Sequence, residues 1–257
     1  MIRLVASDID GTLLQNGGRQ IPEGVFGQIR RLKEKGILFA AASGRQYKSL
    51  RELFLPVADQ IVYLCENGAI LYREGKVLSK RPMPRKRAEE LIRDIQAHDN
   101  MEVLISGANT SYLMPKRQDY EDHIRYFVGN NTTIVENTGQ IREDILKVSA
   151  YCYDGAAKYD SSFGDAWRVW FQGALAGERW LDFMTADKGT GMEDLCRALR
   201  IAPEDAAAFG DNFNDLPMLR LVGSSWIIEG SALDRAGYGG QAGFLRTGTV
   251  EDILKKL

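Results

Sequence analysis

At both ends of this 257-residue chain, short apolar runs alternate with stretches of helical spacing. IRLVAS (residues 2–7) is nearly continuous in apolar residues, which suits a parallel strand buried on both faces. Pro22 fits the first turn of a helix, Val25, Ile29 and Leu32 follow at helical spacing, and Gly36 stops it. ILFAAASG (37–44) reads as a second buried strand. SLRELFLP reads as a short helix ending before Pro56, and QIVYLCENG (60–68) as a third strand. The βαβαβ order predicts an α/β fold, a Rossmann-like doubly wound parallel sheet.

After RPMP (81–84) the pattern changes. RKRAEELIRDIQAHDN is an amphipathic helix with Ala88, Leu91, Ile92 and Ile95 on one face. MEVLISG and SYLMP read as two strands joined across ANT, QDYEDHIRYF as a helix, ILKVSAYCYDG (145–155) as a strand, and RVWFQGALAGERWLDFMT as strand-like pieces. This texture is α+β. The α/β pattern then returns: KGTGMEDLCRALRI is a helix with Met192, Leu195 and Leu199 on one face, and DAAAFGD (205–211) and SSWIIEG are strands. The expected organisation is a core built from residues 1–82 and 182–257, with a second domain inserted at 83–181.

Composition excludes several classes. Thirty-three basic against 35 acidic residues give a formal net charge of −2, without the basic excess that a nucleic-acid or membrane-surface partner favours. No apolar run approaches the roughly 20 residues of a membrane-spanning helix. The strand opening at the N-terminus leaves no room for a signal peptide, so the expected compartment is the cytoplasm. Cys65, Cys152 and Cys196 are odd in number and widely spaced. They read as reduced core residues rather than a disulfide framework or a metal site.

In an open α/β sheet, ligands bind beyond the carboxyl ends of the strands. The first strand delivers Asp8 and Asp10 there, followed by Gly11 and Thr12; the second delivers Ser43, Gly44 and Arg45; the late strand delivers Asp211, with Asn214 and Asp215 close behind. Lys188 opens the helix before that strand. Clustered carboxylates repel one another unless a cation sits among them. Mg²⁺, a hard ion that takes one or two carboxylates plus phosphate oxygens and water, fits such a set. Asp8 and Asp211 are the candidate ligands. A free oxygen of Asp8 is then a candidate nucleophile toward phosphorus. Asp10 is a candidate general acid and base. Ser43, the amides near Gly11 and Gly44, and Lys188 are candidates for holding the phosphoryl oxygens.

DIDGTLL, AASGR, DKGTG and GDNFNDLPML, in this order and spacing, resemble the four motifs of the haloacid dehalogenase superfamily. The long insert between SGR and DKG, and CENGA at 65–69, are similar to its Cof-type branch, which carries a type C2B α/β cap at that place. The resemblance covers the whole chain. It implies a Mg²⁺-dependent phosphatase with Asp8 as nucleophile and Asp10 as acid and base, the backbone carbonyl of Asp10 also binding the metal. It further implies that Ser43 and Lys188 hold phosphate, Asp211 binds metal, Asn214 lies near the phosphate, and Asp215 steadies Lys188 or the metal shell. Arg45 and Asn67 are further candidates. One stretch departs from the pattern: where the family follows its fourth motif with a strand ending in GNA, this chain has SSWIIEGSALDRAGYGG.

Blander readings compete. Asp8 and Asp10 before Gly11 resemble a turn, since Asp-Gly favours one; the other three motifs argue against that. A lysine at a helix start is at the wrong end for the helix dipole, which favours a specific task for Lys188. Arg45 suits a surface role as well as a substrate role. His98 and His123 read as surface residues, Tyr112, Trp167, Trp170 and Trp180 as core of the insert, and PRKR (84–87) as a solvated helix start. The function expected is hydrolysis of a small phosphorylated metabolite, such as a sugar phosphate, through an aspartyl-phosphate. A phosphomutase of the same superfamily and a phospho-accepting receiver-like domain are the alternatives. A receiver needs no acid at Asp10 and no inserted domain.

Overall fold

A computed structural model describes residues 1–128 and 131–257. Residues 129 and 130, which belong to the insert expected at 83–181, lie outside the described residues. Strands follow in chain order as β1 (Leu4–Asp8), β2 (Leu38–Ala42), β3 (Val62–Cys65), β4 (Ile70–Arg73), β5 (Lys76–Lys80), β6 (Met101–Gly107), β7 (Ser111–Leu113), β8 (Thr132–Ile134), β9 (Ile145–Cys152), β10 (Gln172–Ala176), β11 (Trp180–Met184), β12 (Ala206–Gly210), β13 (Ser224–Ile228) and β14 (Phe244–Thr247). The chain divides into two compact units, Met1–Lys80 with Ala186–Leu257, and Arg81–Thr185.

The first unit holds an eight-stranded sheet in the order β14-β13-β12-β1-β2-β3-β4-β5. It is parallel from β14 to β3 and antiparallel across β4 and β5. The chain leaves β1 toward β2 on one side and returns through β12 on the other, so strand order reverses at the β1/β12 crevice. That is where ligands bind in doubly wound sheets. Leu4, Ala6, Ala40, Ala42, Ala206 and Ala208 line one face and pack with Met192, Leu195, Met218 and Leu219 of helices Lys188–Leu199 and Leu216–Leu221. The alanines of β2 and β12 leave room for those helices to approach closely. On the other face, Phe54 meets Phe39 in a tilted contact and meets Tyr63 and Phe26 of helix Glu23–Glu34 edge-on. Burying side chains on both faces is what the apolar runs of the central strands require.

The β4–β5 hairpin and β14 are sheet edges absent from the sequence reading. Each strand is short, and β5 carries lysine at both ends, a common way of blunting an exposed edge.

The second unit is a six-stranded sheet, β10-β11-β9-β6-β7-β8, antiparallel except for β7 and β8. MEVLISG and SYLMP do form an antiparallel pair. Helix Arg85–Ala97 packs Ala88, Leu91, Ile92 and Ile95 against Val103, Ile105, Val148 and Ala150. QDYEDHIRYF begins as α-helix at Gln118–Asp122 and widens into a π-helix at His123–Val128. Two readings of this unit need correction. Trp170 is 53% exposed rather than core, at the surface with the Arg87 guanidinium 3.8 Å over its ring. Nor is PRKR simply solvated: Arg85 donates to the carbonyls of Thr138 and Ile141. Tyr112 and Trp167 pack against the core of the unit, and Trp180 against a smaller cluster around Tyr120 and Tyr151. All three cysteines are buried and free. No helix among the described residues is long and apolar enough to cross a membrane.

Candidate active site

The candidate residues all belong to the first unit. Asp8 ends β1 opposite Ala42, the residue before Ser43, so the two strands deliver the acid and the hydroxyl side by side. Asp211 follows β12, the neighbour of β1 on the other side. Lys188 is the first residue of its helix, fixed there by a reciprocal cap. Asp187 accepts from the Thr190 amide at 2.7 Å, and the Thr190 hydroxyl accepts from the Asp187 amide at 2.9 Å.

Lys188 is 1% exposed and its Nζ donates to Oδ1 of both Asp8 and Asp215. Burial pushes the ammonium down, but the Asp215 and Asp8 carboxylates outweigh it and hold Lys188 above the ordinary lysine value. Asp215 is fully buried, and its Oδ2 accepts from the amides of Asp211 and Asn212, each at 3.0 Å. Both Asp215 oxygens are therefore committed to holding Lys188 and the start of the Asp211 loop.

Oδ2 of Asp8 is different: it is buried and has no hydrogen-bond partner. Burial, helped by the charges of Asp215 and Asp211 and opposed by Lys188, pushes the Asp8 carboxyl up to about 8. Asp211 is also raised, first by burial and then by Asp215. One carboxylate oxygen from each of Asp8, Asp211 and Asp215 lies within 4.8 Å of the others. An orphaned carboxylate oxygen beside a second raised carboxyl is a hard-oxygen donor set that fits a divalent cation such as Mg²⁺. Asp8 and Asp211 would hold it, because the oxygens of Asp215 are already engaged.

Thr12, which has no role in the motif reading, and Gly11, whose neighbouring amides are candidates for holding phosphate, both shape this cluster. The Thr12 hydroxyl donates to Oδ1 of Asp211 at 3.1 Å. Gly11 has φ +94, and a Cβ built there would sit 2.2 Å from Oδ2 of Asp211, so only glycine lets the turn after Asp10 approach Asp211 so closely. The departing segment also reaches the site. It forms β13 and a helix Ala232–Arg235 capped by the Ser231 hydroxyl, and the Leu233 amide donates to the Asp211 carbonyl at 3.0 Å.

Asp10 stands apart from the buried acids. It is exposed, and Arg45 grips both its oxygens, Nε to Oδ2 at 2.8 Å and Nη2 to Oδ1 at 2.6 Å. Arg45 thus has a defined partner, which its sequence context did not indicate. The buried Ser43 hydroxyl accepts from the Arg45 amide at 3.2 Å, leaving its own proton to donate. Asn67 packs against Gly44. Asn214 is exposed on the turn Phe213–Asp215.

The chain is similar to known proteins. The profile of the haloacid dehalogenase-like hydrolases fits residues 5–232. The chain is 25% identical to the 5-amino-6-(5-phospho-D-ribitylamino)uracil phosphatase YbjI of Escherichia coli, over 99% of this chain and 97% of that protein. It is 26% identical to the HMP-PP phosphatase of Serratia proteamaculans, over 91% and 85% of the two chains. A crystal structure from Eubacterium rectale superposes with a TM-score of 0.88 at 24% identity, covering 99% of this chain and 98% of that one. A subclass IIB sugar phosphatase of the superfamily superposes with a TM-score of 0.78 at 17% identity, over 99% and 98%. The chain belongs to the haloacid dehalogenase-like hydrolases and is an enzyme of their Cof-type phosphatase branch.

Proposed function

We propose that the protein is a Mg²⁺-dependent phosphomonoesterase that hydrolyses small phosphorylated metabolites through an aspartyl-phosphate on Asp8. The observation that carries this reading is the buried Asp8 carboxylate, with one oxygen held by Lys188 and the other unpartnered beside Asp211. A bound Mg²⁺ would supply charge neutralisation for the phosphoryl oxygens and for the acids themselves. Asp8 and Asp211 would hold it, with the backbone carbonyl of Asp10 as the further ligand the family resemblance implies.

The chain's own groups do the rest. An oxygen of Asp8 forms the new bond to phosphorus while the ester P–O bond breaks, and the departing alkoxide takes a proton from Asp10. Asp10 then accepts a proton from water, whose oxygen attacks phosphorus, releasing inorganic phosphate and restoring the Asp8 carboxylate. Lys188 balances charge on Asp8 and the phosphoryl group, and the Ser43 hydroxyl donates to it. Arg45 holds both oxygens of Asp10 but occupies one lone pair on each, so the second lone pair of either oxygen is left to carry the proton. The inserted unit, similar in place to the family's cap, would select the leaving group.

The test is turnover of a panel of small phosphomonoesters with purified protein. Activity should stop in EDTA and return with Mg²⁺. Small sugar phosphates should exceed phosphopeptides by at least roughly 100-fold in kcat/KM. Full activity of metal-free protein would rule out the metal, and equal activity on phosphopeptides would rule out the small-metabolite assignment.

A further inference from the structure

Three successive residues after β3 adopt left-handed backbone: Glu66 at φ 49, Asn67 at φ 52 and Gly68 at φ 96. Only the last is a glycine. Side chains rarely occupy this region, and where they do the surroundings must hold them there, typically at a functional site. Both neighbours that could do so carry candidate site residues. On one side, the Glu66 amide donates to the Arg45 carbonyl at 3.1 Å and the Asn67 amide to the Ser43 carbonyl at 2.9 Å. On the other, Gly68 is wedged against the start of the Lys188 helix: a Cβ on it would lie 2.4 Å from the Asp187 carbonyl oxygen.

The carboxamide of Asn67 lies against Gly44. Its Nδ2 and Oδ1 are both 3.3 Å from the place a Gly44 Cβ would take, and the buried Oδ1 has no hydrogen-bond partner. A buried amide oxygen left unpaired is costly. A residue needed only to form the turn would be glycine, which adopts left-handed backbone freely and buries no polar atom. We infer that Asn67 is a positioning residue, its carboxamide pressing on Gly44 to fix the Ser43–Gly44–Arg45 loop relative to the helix that carries Lys188. Through Ser43 it sets the phosphoryl-holding hydroxyl, and through Arg45 it sets Asp10. This rests on the phosphatase reading above.

Asn67→Gly separates positioning from turn formation, because glycine keeps the turn and its two amide donors and removes only the carboxamide. With p-nitrophenyl phosphate and Mg²⁺, kcat should fall at least roughly 10-fold and KM change less than about 3-fold. The inhibition constant of orthovanadate, which resembles the transition state, should weaken by about the factor lost in kcat/KM. The thermal midpoint should stay level or rise, since glycine relieves the strained backbone. A second variant reads the contact itself. Gly44→Ala should lower kcat in the wild-type background and have less effect beside Asn67→Gly, because its methyl then enters the vacated space. Wild-type kcat in Asn67→Gly, or strictly multiplicative effects in the double variant, would overturn the inference. A wild-type protein inert toward every phosphomonoester would instead overturn the phosphatase reading, and the inference with it.

Discussion

Replacing Lys188 by methionine keeps most of the side chain's length and removes its charge. Asp215, fully buried, would keep the amides of Asp211 and Asn212 but lose the Lys188 ammonium. Burial and the neighbouring acids already favour the protonated form of Asp8 in the metal-free protein, so the loss falls mainly on Asp215. Breaking a buried pair from one side costs roughly 3–5 kcal/mol. Protonation sets a ceiling on that cost. Holding a proton at pH 7 on a carboxyl whose ordinary pKa is near 3.9 costs roughly 4 kcal/mol, and at pH 5 about 1.5 kcal/mol, at 1.36 kcal/mol per unit. The sign follows from proton counting. The folded variant keeps a proton that its unfolded chain releases above about pH 4, so its stability falls as pH rises. Urea unfolding of metal-free wild type and Lys188→Met, followed by circular dichroism, measures the difference. The expected cost is about 4 kcal/mol at pH 7, shrinking below about 2 kcal/mol at pH 5. A cost under about 1 kcal/mol at pH 7, or one that grows toward acid, would refute the reasoning.

The pH behaviour of metal binding follows from the same cluster. With Asp8 near 8 in the metal-free state, Mg²⁺ must displace a proton below that pH, so titration calorimetry should show apparent affinity rising up to about tenfold per pH unit and levelling above pH 8. Gly11→Ala, placed at φ +94 and against the Asp211 carboxylate, should raise the Mg²⁺ concentration for half activity by at least roughly 10-fold, read from activity against added Mg²⁺.

The central strands and the acids at their ends were legible in the sequence because a strand buried on both faces must be continuously apolar, and polar residues at its carboxyl end then stand out. β1, β2, β3 and β12 were read that way. The β4–β5 hairpin and β14 were not, because an edge strand with lysines or an arginine looks like loop. The motif resemblance grouped Lys188, Asp211 and Asp215 and left Asp215 to steady either Lys188 or the metal shell. That Asp215 spends both oxygens on Lys188 and two amides, that Thr12 orients Asp211, and that Arg45 grips Asp10 are consequences of three loops meeting in space. Gly11 and Thr12 were visible in DIDGTLL, but only the short approach to Asp211 shows why those two residue types stand there. The Arg87–Trp170 contact was illegible for a related reason: the two residues lie 83 positions apart, on different elements of the insert.

Central to this account is the Asp8 carboxylate as the group that attacks phosphorus. Asp8→Asn preserves shape and removes a good nucleophile, and loss of a covalent step is worth several kcal/mol. The kcat of the purified variant, measured with saturating Mg²⁺ on the best small phosphomonoester, tests it directly. The account predicts less than about 1% of wild-type turnover in a variant whose circular dichroism spectrum is unchanged. Turnover clearly above that level, in a folded Asp8→Asn protein, would contradict it.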